Sequence, residues 1–261
     1  TTNWSEDPVL LRTIFSLGMV ELVSYWKIAC PPKVVVQAGI INETQISWWK
    51  KLYYQGLGEF FYTNDIEADP DTFMDLLCEP SEDTARISDV FSFTGSALAT
   101  DPAASDCGCL IPVGGGKDSA CTIEMLKKSG HPLYTYIINP RGATLSTVKV
   151  SGLSEDHSIH VKRTLDKNML ELNKQGFLNG HTPFSALVAF SSVITARMYG
   201  LKYVALSNES SANESTVAGS TVNHQYSKSF EFEQDFHTYE QDWLESGVYY
   251  FSMLRPLSEF Q

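Results

Sequence analysis

The sequence predicts an α/β protein, a doubly wound and mainly parallel sheet preceded by a smaller accessory α/β domain. Three observations carry this prediction. From Cys109 onward, short apolar runs alternate with helical stretches, the pattern of strands joined by crossover helices. Three glycines, Gly114 to Gly116, stand between the first of those strands and the helix after it. Before residue 100 the texture differs, with Trp4, Trp26, Trp48, Trp49 and the run Phe60-Phe61-Tyr62. A Ser/Ala/Thr/Asp-rich stretch, Thr94 to Asp106, reads as the linker. The expected division is therefore an accessory domain over 1–100 and a nucleotide-binding domain over 101–261.

In chain order, helices are expected near 9–26 and 71–78, with strands at Val34–Ile40 and Phe60–Asn64. Cys109–Val113 reads as the first strand of the second domain. The helix after the glycines runs to about Lys128, with Lys127 and Lys128 in its last turn, Gly130 beyond it and Pro132 closing it. Leu133–Ile138 is the next strand, ending at Asn139-Pro140. His157–Val161 is a third strand and Asp166–Asn173 a helix. A further helix takes Thr182 as cap and Pro183 in its first turn, and ends at Gly200. Lys202–Leu206 is a fourth strand. Parallel sheets of this kind place ligands at the carboxyl ends of their strands, here after Val113, Ile138, Val161 and Leu206.

A hydrophobic content of 43% over 261 residues suffices for a packed core. A net charge of −12 argues against a nucleic-acid scaffold, which needs clustered Lys and Arg. The five cysteines, Cys30, Cys78, Cys107, Cys109 and Cys121, are odd in number and lack disulfide or zinc spacing. Free thiols and a cytoplasmic location are expected. No basic segment followed by an apolar run opens the chain. The stretch 184–200, read as the most apolar, contains Ser185, Ser191, Ser192, Thr195 and Arg197 and is too short and polar to span a bilayer. Starting at Thr1 without Met and stopping soon after Leu254-Arg255-Pro256-Leu257, the chain reads as a fragment of a longer protein.

The motif that carries chemistry is Gly114-Gly115-Gly116-Lys117-Asp118-Ser119. Glycines let backbone N–H groups approach an anion, and a helix N-terminus adds its unpaired donors and positive dipole end. Lys117 and Ser119 supply side-chain partners for phosphate oxygens. Asp118 repels phosphate unless it caps the helix or helps to hold Mg²⁺. A Walker A loop would need Gly where Ile111 stands, and a dinucleotide fingerprint would need Gly in place of Ser119. The hexapeptide resembles the PP-loop signature Ser-Gly-Gly-x-Asp-Ser, with Gly114 in place of the first Ser. That resemblance implies an adenine nucleotide alpha hydrolase-like fold that splits ATP into AMP and pyrophosphate. A plain glycine turn is the alternative.

Three polar clusters follow. Asn179-Gly180-His181-Thr182-Pro183 opens a helix, and Ser207 to Glu214 follows the fourth strand with two carboxylates, Glu209 and Glu214, suited to Mg²⁺. Asn223 to Ser229 gathers seven polar side chains. Singly these fit a helix start, a solvated loop and a surface turn; in this order, after the glycine loop, they read as parts of one site.

The strings Leu172–Leu187, Leu206–Glu214 and Asn223–Glu233 resemble the UDP-N-acetylmuramoyl-L-alanyl-L-glutamate epimerase family, over roughly residues 105 to 257. The resemblance implies ATP- and Mg²⁺-dependent inversion of the terminal L-glutamate of a peptidoglycan precursor, with AMP and pyrophosphate released. Under it, Gly114, Gly115, Gly116, Lys117 and Ser119 hold the pyrophosphate, and Asp118 with Glu209 or Glu214 holds the metal. Asn139 to Arg141 border the adenosine, and Arg141, Arg163 and Lys228 are candidates for carboxylates or phosphates. His181, His224, Tyr226 and Lys228 all have chemistry suited to proton transfer, and the sequence does not choose among them. His131, His157, His160 and His237 are expected to be structural. The expected partner is the UDP-muramoyl dipeptide, with neither nucleic acid nor a membrane. An adenylating amide ligase, a tRNA-modifying enzyme and a non-catalytic nucleotide-binding module are the competing readings; the tRNA reading is disfavoured by the acidity and by the absence of a CxxC pair.

Overall fold

Asp7 starts the first helix by accepting hydrogen bonds from the Val9 and Leu10 N–H groups at 3.0 and 3.2 Å. Pro8 fills the position where a missing N–H costs nothing. This helix, α1 (Pro8–Trp26), belongs to a computed structural model that describes residues 6–92, 108–213 and 226–258. After it come β1 (Lys33–Val36), α2 (Glu43–Gly56), α3 (Gly58–Thr63), β2 (Asp75–Cys78) and α4 (Glu82–Arg86). Then follow β3 (Cys109–Pro112), α5 (Lys117–Lys127), β4 (Leu133–Ile138), α6 (Gly142–Ser151) and β5 (Ser158–Val161). The chain continues through α7 (Lys167–Lys174), α8 (Phe184–Met198), β6 (Tyr203–Leu206), α9 (Phe230–Tyr239) and β7 (Tyr249–Ser252).

The polypeptide forms two compact units that are not consecutive in sequence. Unit 1 comprises Thr1–Ser96, Leu165–Leu187 and Asn213–Glu245; unit 2 comprises Ala97–Thr164, Val188–Ala212 and Ser246–Gln261. A single cut near residue 100 was expected, but two later segments rejoin the first unit. Arg12 shows what ties one of them in. Its guanidinium, almost fully buried, donates to the Val90 carbonyl at 2.9 Å, the Leu244 carbonyl at 3.0 Å and the Glu245 carboxylate at 3.1 Å. A buried charge is tolerable only when paired in this way.

In unit 1, β1 and β2 pair in parallel, Lys33 opposite Asp75 and Val36 opposite Cys78. Two expectations are corrected here. Phe60–Asn64, expected as a strand, lies largely in helix α3, because the Phe61 N–H continues the helical ladder to the Leu57 carbonyl. Its two buried rings then face an aromatic cluster, with Phe61 5.9 Å from Tyr54 and 6.5 Å from Trp26. The helix expected over 71–78 is a loop followed by β2, since the Asp75 N–H bonds to the Pro32 carbonyl and commits the segment to β1. Of the described helices, α1 alone is long and apolar enough to cross a membrane, whereas 184–198 is shorter. Half of the apolar window of α1 is buried, and Arg12, Thr13, Ser16 and Ser24 are buried with it. That is the pattern of a core helix.

Unit 2 holds the main sheet, ordered β5-β4-β3-β6-β7 with every pairing parallel. The chain starts at the centre, works outward to β5, then returns to the other side of β3. Its core cluster includes Ile111, Val113, Ile123, Ile137, Val148 and Ala205. Gly200, at φ +68°, ends α8 in the left-handed conformation and lets the Leu201 N–H reach back to the Ala196 carbonyl.

Cys30, Cys78, Cys109 and Cys121 are free, and Cys107 lies outside the described residues. Burial in β3 pushes the Cys109 thiol up to about 12. Its thiolate therefore forms only as pH approaches that value, while an unfolded thiol ionises near its ordinary value of 9.0. The stability held in the buried thiol is complete below pH 9 and is lost between there and 12. Alkylation of the folded protein at pH 8 should modify exposed Cys121 and spare Cys109, and denaturation without reductant should make all five thiols reactive. Mass spectrometry of the labelled peptides checks both results.

Candidate nucleotide-binding site

The sheet reverses its winding between β3 and β6, and the crevice beyond the carboxyl ends of these strands is where ligands bind in such folds. The glycine loop leaves β3, and Ser207 to Glu209 leaves β6. Within the loop Gly115 takes φ +87°, and a Cβ there would lie 2.9 Å from the Thr144 nitrogen and 3.0 Å from the Ala143 carbonyl carbon. The loop backbone is thus pressed onto the first turn of α6, which only glycine permits. At Gly114 and Gly116 a Cβ would meet nothing within 4 Å, so the loop's other side is open. Gly116 is the N-cap of α5 and makes no side-chain capping bond. No side chain caps the first turn of the helix, and the site fits a phosphate group.

Lys117 and Asp118 open α5. The Lys117 ammonium lies 2.7 Å from the Asp118 carboxylate and 3.7 Å from that of Glu209. Glu209 comes from the other side of the switch point, and its main chain is fixed where the Arg255 guanidinium donates to its carbonyl at 3.2 Å. Asn208 donates to the Ser252 hydroxyl at 3.2 Å. Ser119 is buried, and its hydroxyl donates to the Gly116 carbonyl at 3.0 Å, bracing the loop. Two carboxylates and an ammonium therefore meet at the open face of the loop. Such a pair is enough for Mg²⁺, which takes one or two carboxylates and completes its shell with phosphate and water. Among the described residues no group of three or more His, Cys, Asp or Glu side chains is placed to hold a metal ion, and Glu214 lies outside them.

Asn139 and Arg141 follow β4 in the same unit. Asn139 adopts φ +50°, and its side chain is committed to the backbone of Arg163, donating to the carbonyl at 2.8 Å and accepting from the N–H at 2.9 Å. It ties the ends of β4 and β5 together. Arg141 is the exposed N-cap of α6, its N–H donating to the Thr144 hydroxyl at 3.0 Å. Thr144 was not anticipated, although an Arg-Gly-Ala-Thr start is half of a capping box and marks the turn that backs Gly115.

His181, Tyr226 and Lys228 belong to unit 1, and His224 lies outside the described residues. Of the three polar clusters, the one after β6 belongs to the unit that holds the main sheet, and Asn179–Pro183 and the described part of the third, from Tyr226 onward, belong to unit 1. Asn179 and Gly180 are bound to Lys27, which donates to the Asn179 side chain at 2.9 Å and to the Gly180 carbonyl at 2.6 Å. His181 and Lys228 are exposed. Tyr226 is buried, and its hydroxyl donates to Asp235 in a very short hydrogen bond. Burial first, and then that bond to a carboxylate, push its phenol far above the ordinary range. It stays protonated and is unsuited to act as a base. The same Asp235 oxygen accepts from Lys51 at 2.7 Å, and Lys51 also bonds Glu231 at 2.7 Å.

A family model described as the MurL N-terminal domain matches residues 3–253. The chain belongs to this family. Similar MurL-type relatives named UDP-N-acetyl-alpha-D-muramoyl-L-alanyl-L-glutamate epimerase occur in Xanthomonas oryzae pv. oryzae and Micromonospora sp. The first is 32% identical over 93% of this chain and 50% of its own length. The second is 31% identical over 95% of this chain and 52% of its own length. The chain spans about half the length of these curated relatives. A solved structure described as a predicted subunit of tRNA methyltransferase from Methanocaldococcus jannaschii is 19% identical and covers 59% of this chain and 70% of that one. Its TM-score of 0.34 is too low to carry any argument.

The contrast among the glycines is testable. Gly115→Ala places a methyl group against the Thr144 nitrogen at a left-handed φ, a strain of about 1–3 kcal/mol. Titration calorimetry should show it losing most ATP affinity, while Gly114→Ala, with open space around it, should bind close to the parent.

Proposed function

We propose that this chain supplies the ATP-binding part of a muramoyl-dipeptide epimerase that activates its substrate as an acyl-adenylate. The observation that carries the reading is the bare Gly115 backbone beside an uncapped α5, with Lys117, Asp118 and Glu209 at its mouth. It is supported by the family membership and by the printed name of the relatives.

The chemistry requires activation. The Cα–H of a carboxylate is very weakly acidic, because removing it sets a second negative charge beside the first. In the proposed sequence a carboxylate oxygen of the terminal glutamate attacks the α-phosphorus of ATP, and the bond to pyrophosphate breaks. The acyl carbonyl can then accept the electron pair left when a base removes the α-proton. Return of a proton to the opposite face inverts the centre, and water releases AMP. The loop N–H groups, Lys117 and Ser119 would bind the pyrophosphate, and Asp118 with Glu209 would hold Mg²⁺, which would offset phosphate charge. Lys117 is paired with the same two carboxylates, which would hand it over to phosphate when the nucleotide and Mg²⁺ arrive. For the proton transfers, exposed Lys228 and His181 and the undescribed His224 stand ahead of buried Tyr226. A cytoplasmic location belongs with this reading, because ATP and the UDP-linked substrate are found there.

An epimerase must break and remake a C–H bond, whereas an adenylating ligase leaves it untouched. In D₂O with ATP, Mg²⁺ and UDP-muramoyl-L-alanyl-L-glutamate, the full-length protein that contains this chain should place deuterium on the glutamate α-carbon and yield AMP, not ADP. Omitting ATP should abolish both. AMP formation without deuterium would move the reading to a ligase, and ADP as product would remove it. Asp118→Asn should lose most turnover if the carboxylate helps to hold Mg²⁺ and keep it if the side chain only assists the helix start.

A further inference from the structure

Unit 1 contains a half-open cavity of about 800 Å³ that the nucleotide site does not use. It lies between α2, α3 and the loop before β2, well within the size range of small-molecule sites. Three kinds of group meet in it. Aromatic rings come from Tyr54, Phe61 and Tyr62. Tyr62 is 75% exposed, an unfavourable place for a large ring unless something covers it. Ammonium groups come from Lys50 and Lys51, consecutive residues of α2. Carboxylates come from Glu67 and Asp71 on the facing loop.

The lysines differ in availability. Lys51 is held at 2.7 Å by both Glu231 and Asp235. Lys50 makes no ion pair with any described carboxylate. It donates one hydrogen bond, to the Asp71 carbonyl at 2.6 Å, and sits 6.0 Å from the centre of the Phe73 ring, leaving two ammonium protons to spare. In a chain of net charge −12, an unpaired ammonium on a cavity wall beside exposed rings calls for an anionic, flat-ringed ligand.

We infer that this cavity binds a nucleoside diphosphate, the uridine diphosphate end of the substrate. The inference rests on the reading of the chain as acting on a UDP-linked dipeptide. A base needs an aromatic face, which Tyr62 and Tyr54 offer. Ribose hydroxyls need acceptors, which Glu67 and Asp71 offer, as acidic residues do for ribose in dinucleotide sites. A diphosphate needs a cation, which Lys50 offers. The two nucleotides of the reaction are thereby assigned to separate units, ATP to the glycine loop and UDP to this cavity.

The test reads binding without turnover. With the glycine loop saturated by a non-hydrolysable ATP analogue, calorimetric titration of the chain with UDP should show one saturable site, with uridine and ADP at least 10-fold weaker. Lys50→Gln keeps a donor for the Asp71 carbonyl but removes the charge, and should weaken UDP at least 10-fold. Tyr62→Ala, at an exposed ring, should weaken it in the same direction. Neither variant should change the melting temperature or ATP affinity. No UDP binding at millimolar concentration, binding indifferent to both variants, or ADP as tight as UDP each overturns the inference. Lys50-dependent UDP binding in a chain that exchanges no α-proton would keep this site and remove the epimerase reading. Exchange by a chain whose UDP affinity ignores Lys50 would do the reverse.

Discussion

The close approach of Gly115 to the start of α6 sets the geometry on which the nucleotide site depends. Because the loop backbone at Gly115 lies against Thr144 and Ala143, the open space of the loop is at Gly114 and Gly116. Thr144 in turn is fixed by its bonds to the Arg141 N–H and carbonyl. The Ser119 hydroxyl braces the loop from the α5 side. The start of α6 thus backs Gly115 and the start of α5 braces Gly116, and the open side of the loop is what remains for an anion. The parallel sheet supplies the rest, since only at the switch point do loops from β3 and β6 open toward each other.

Lys117 illustrates how such a site is kept stable while empty. An ammonium beside two carboxylates at 2.7 and 3.7 Å is paired within the fold, although with Lys117 itself exposed such pairs add little to stability. Their value is positional: Asp118 comes from the helix after β3 and Glu209 from the loop after β6, so the triad spans the crevice. The Glu209 carboxylate is mostly buried, which restricts it more than its partners.

Much of unit 2 was legible because parallel strands buried on both faces write themselves as short apolar runs bounded by turn residues. Leu133–Ile138 has the bounds the sequence predicts, and Asp166 caps α7 where an Asp before an apolar-periodic segment should. The glycine loop was legible for the same reason, as a strand, a turn and a helix adjacent in sequence. What failed was long-range. Phe60-Phe61-Tyr62 has strand composition, yet it follows α2 so closely that the helical ladder resumes and tertiary contacts with Trp26 and Tyr54 decide its state. β7 carries no local signature that separates it from its surroundings, whereas α9 does carry one, Ser229 as its cap and Glu231 and Glu233 in its first turn, next to a polar stretch that reads as a site. Nothing near Asn179 and Gly180 in sequence announces that Lys27, 152 positions earlier, holds their side chain and backbone. Lys51 was missed likewise, its partners Glu231 and Asp235 lying far along the chain.

The interleaved make-up of the two units has a consequence during synthesis. Arg12 near the start of the chain finds its carboxylate and one of its carbonyls only when Leu244 and Glu245 have emerged. Trp48 and Lys51 wait for Asp235 in the same way. A nascent chain therefore cannot complete its amino-terminal unit first and its sheet second. β3 through β6 leave the ribosome while the Arg12 guanidinium of α1 still lacks its carboxylate. Closing a contact over some 230 residues makes for slow final assembly, so the amino-terminal helix is among the last parts of the chain to reach its finished surroundings.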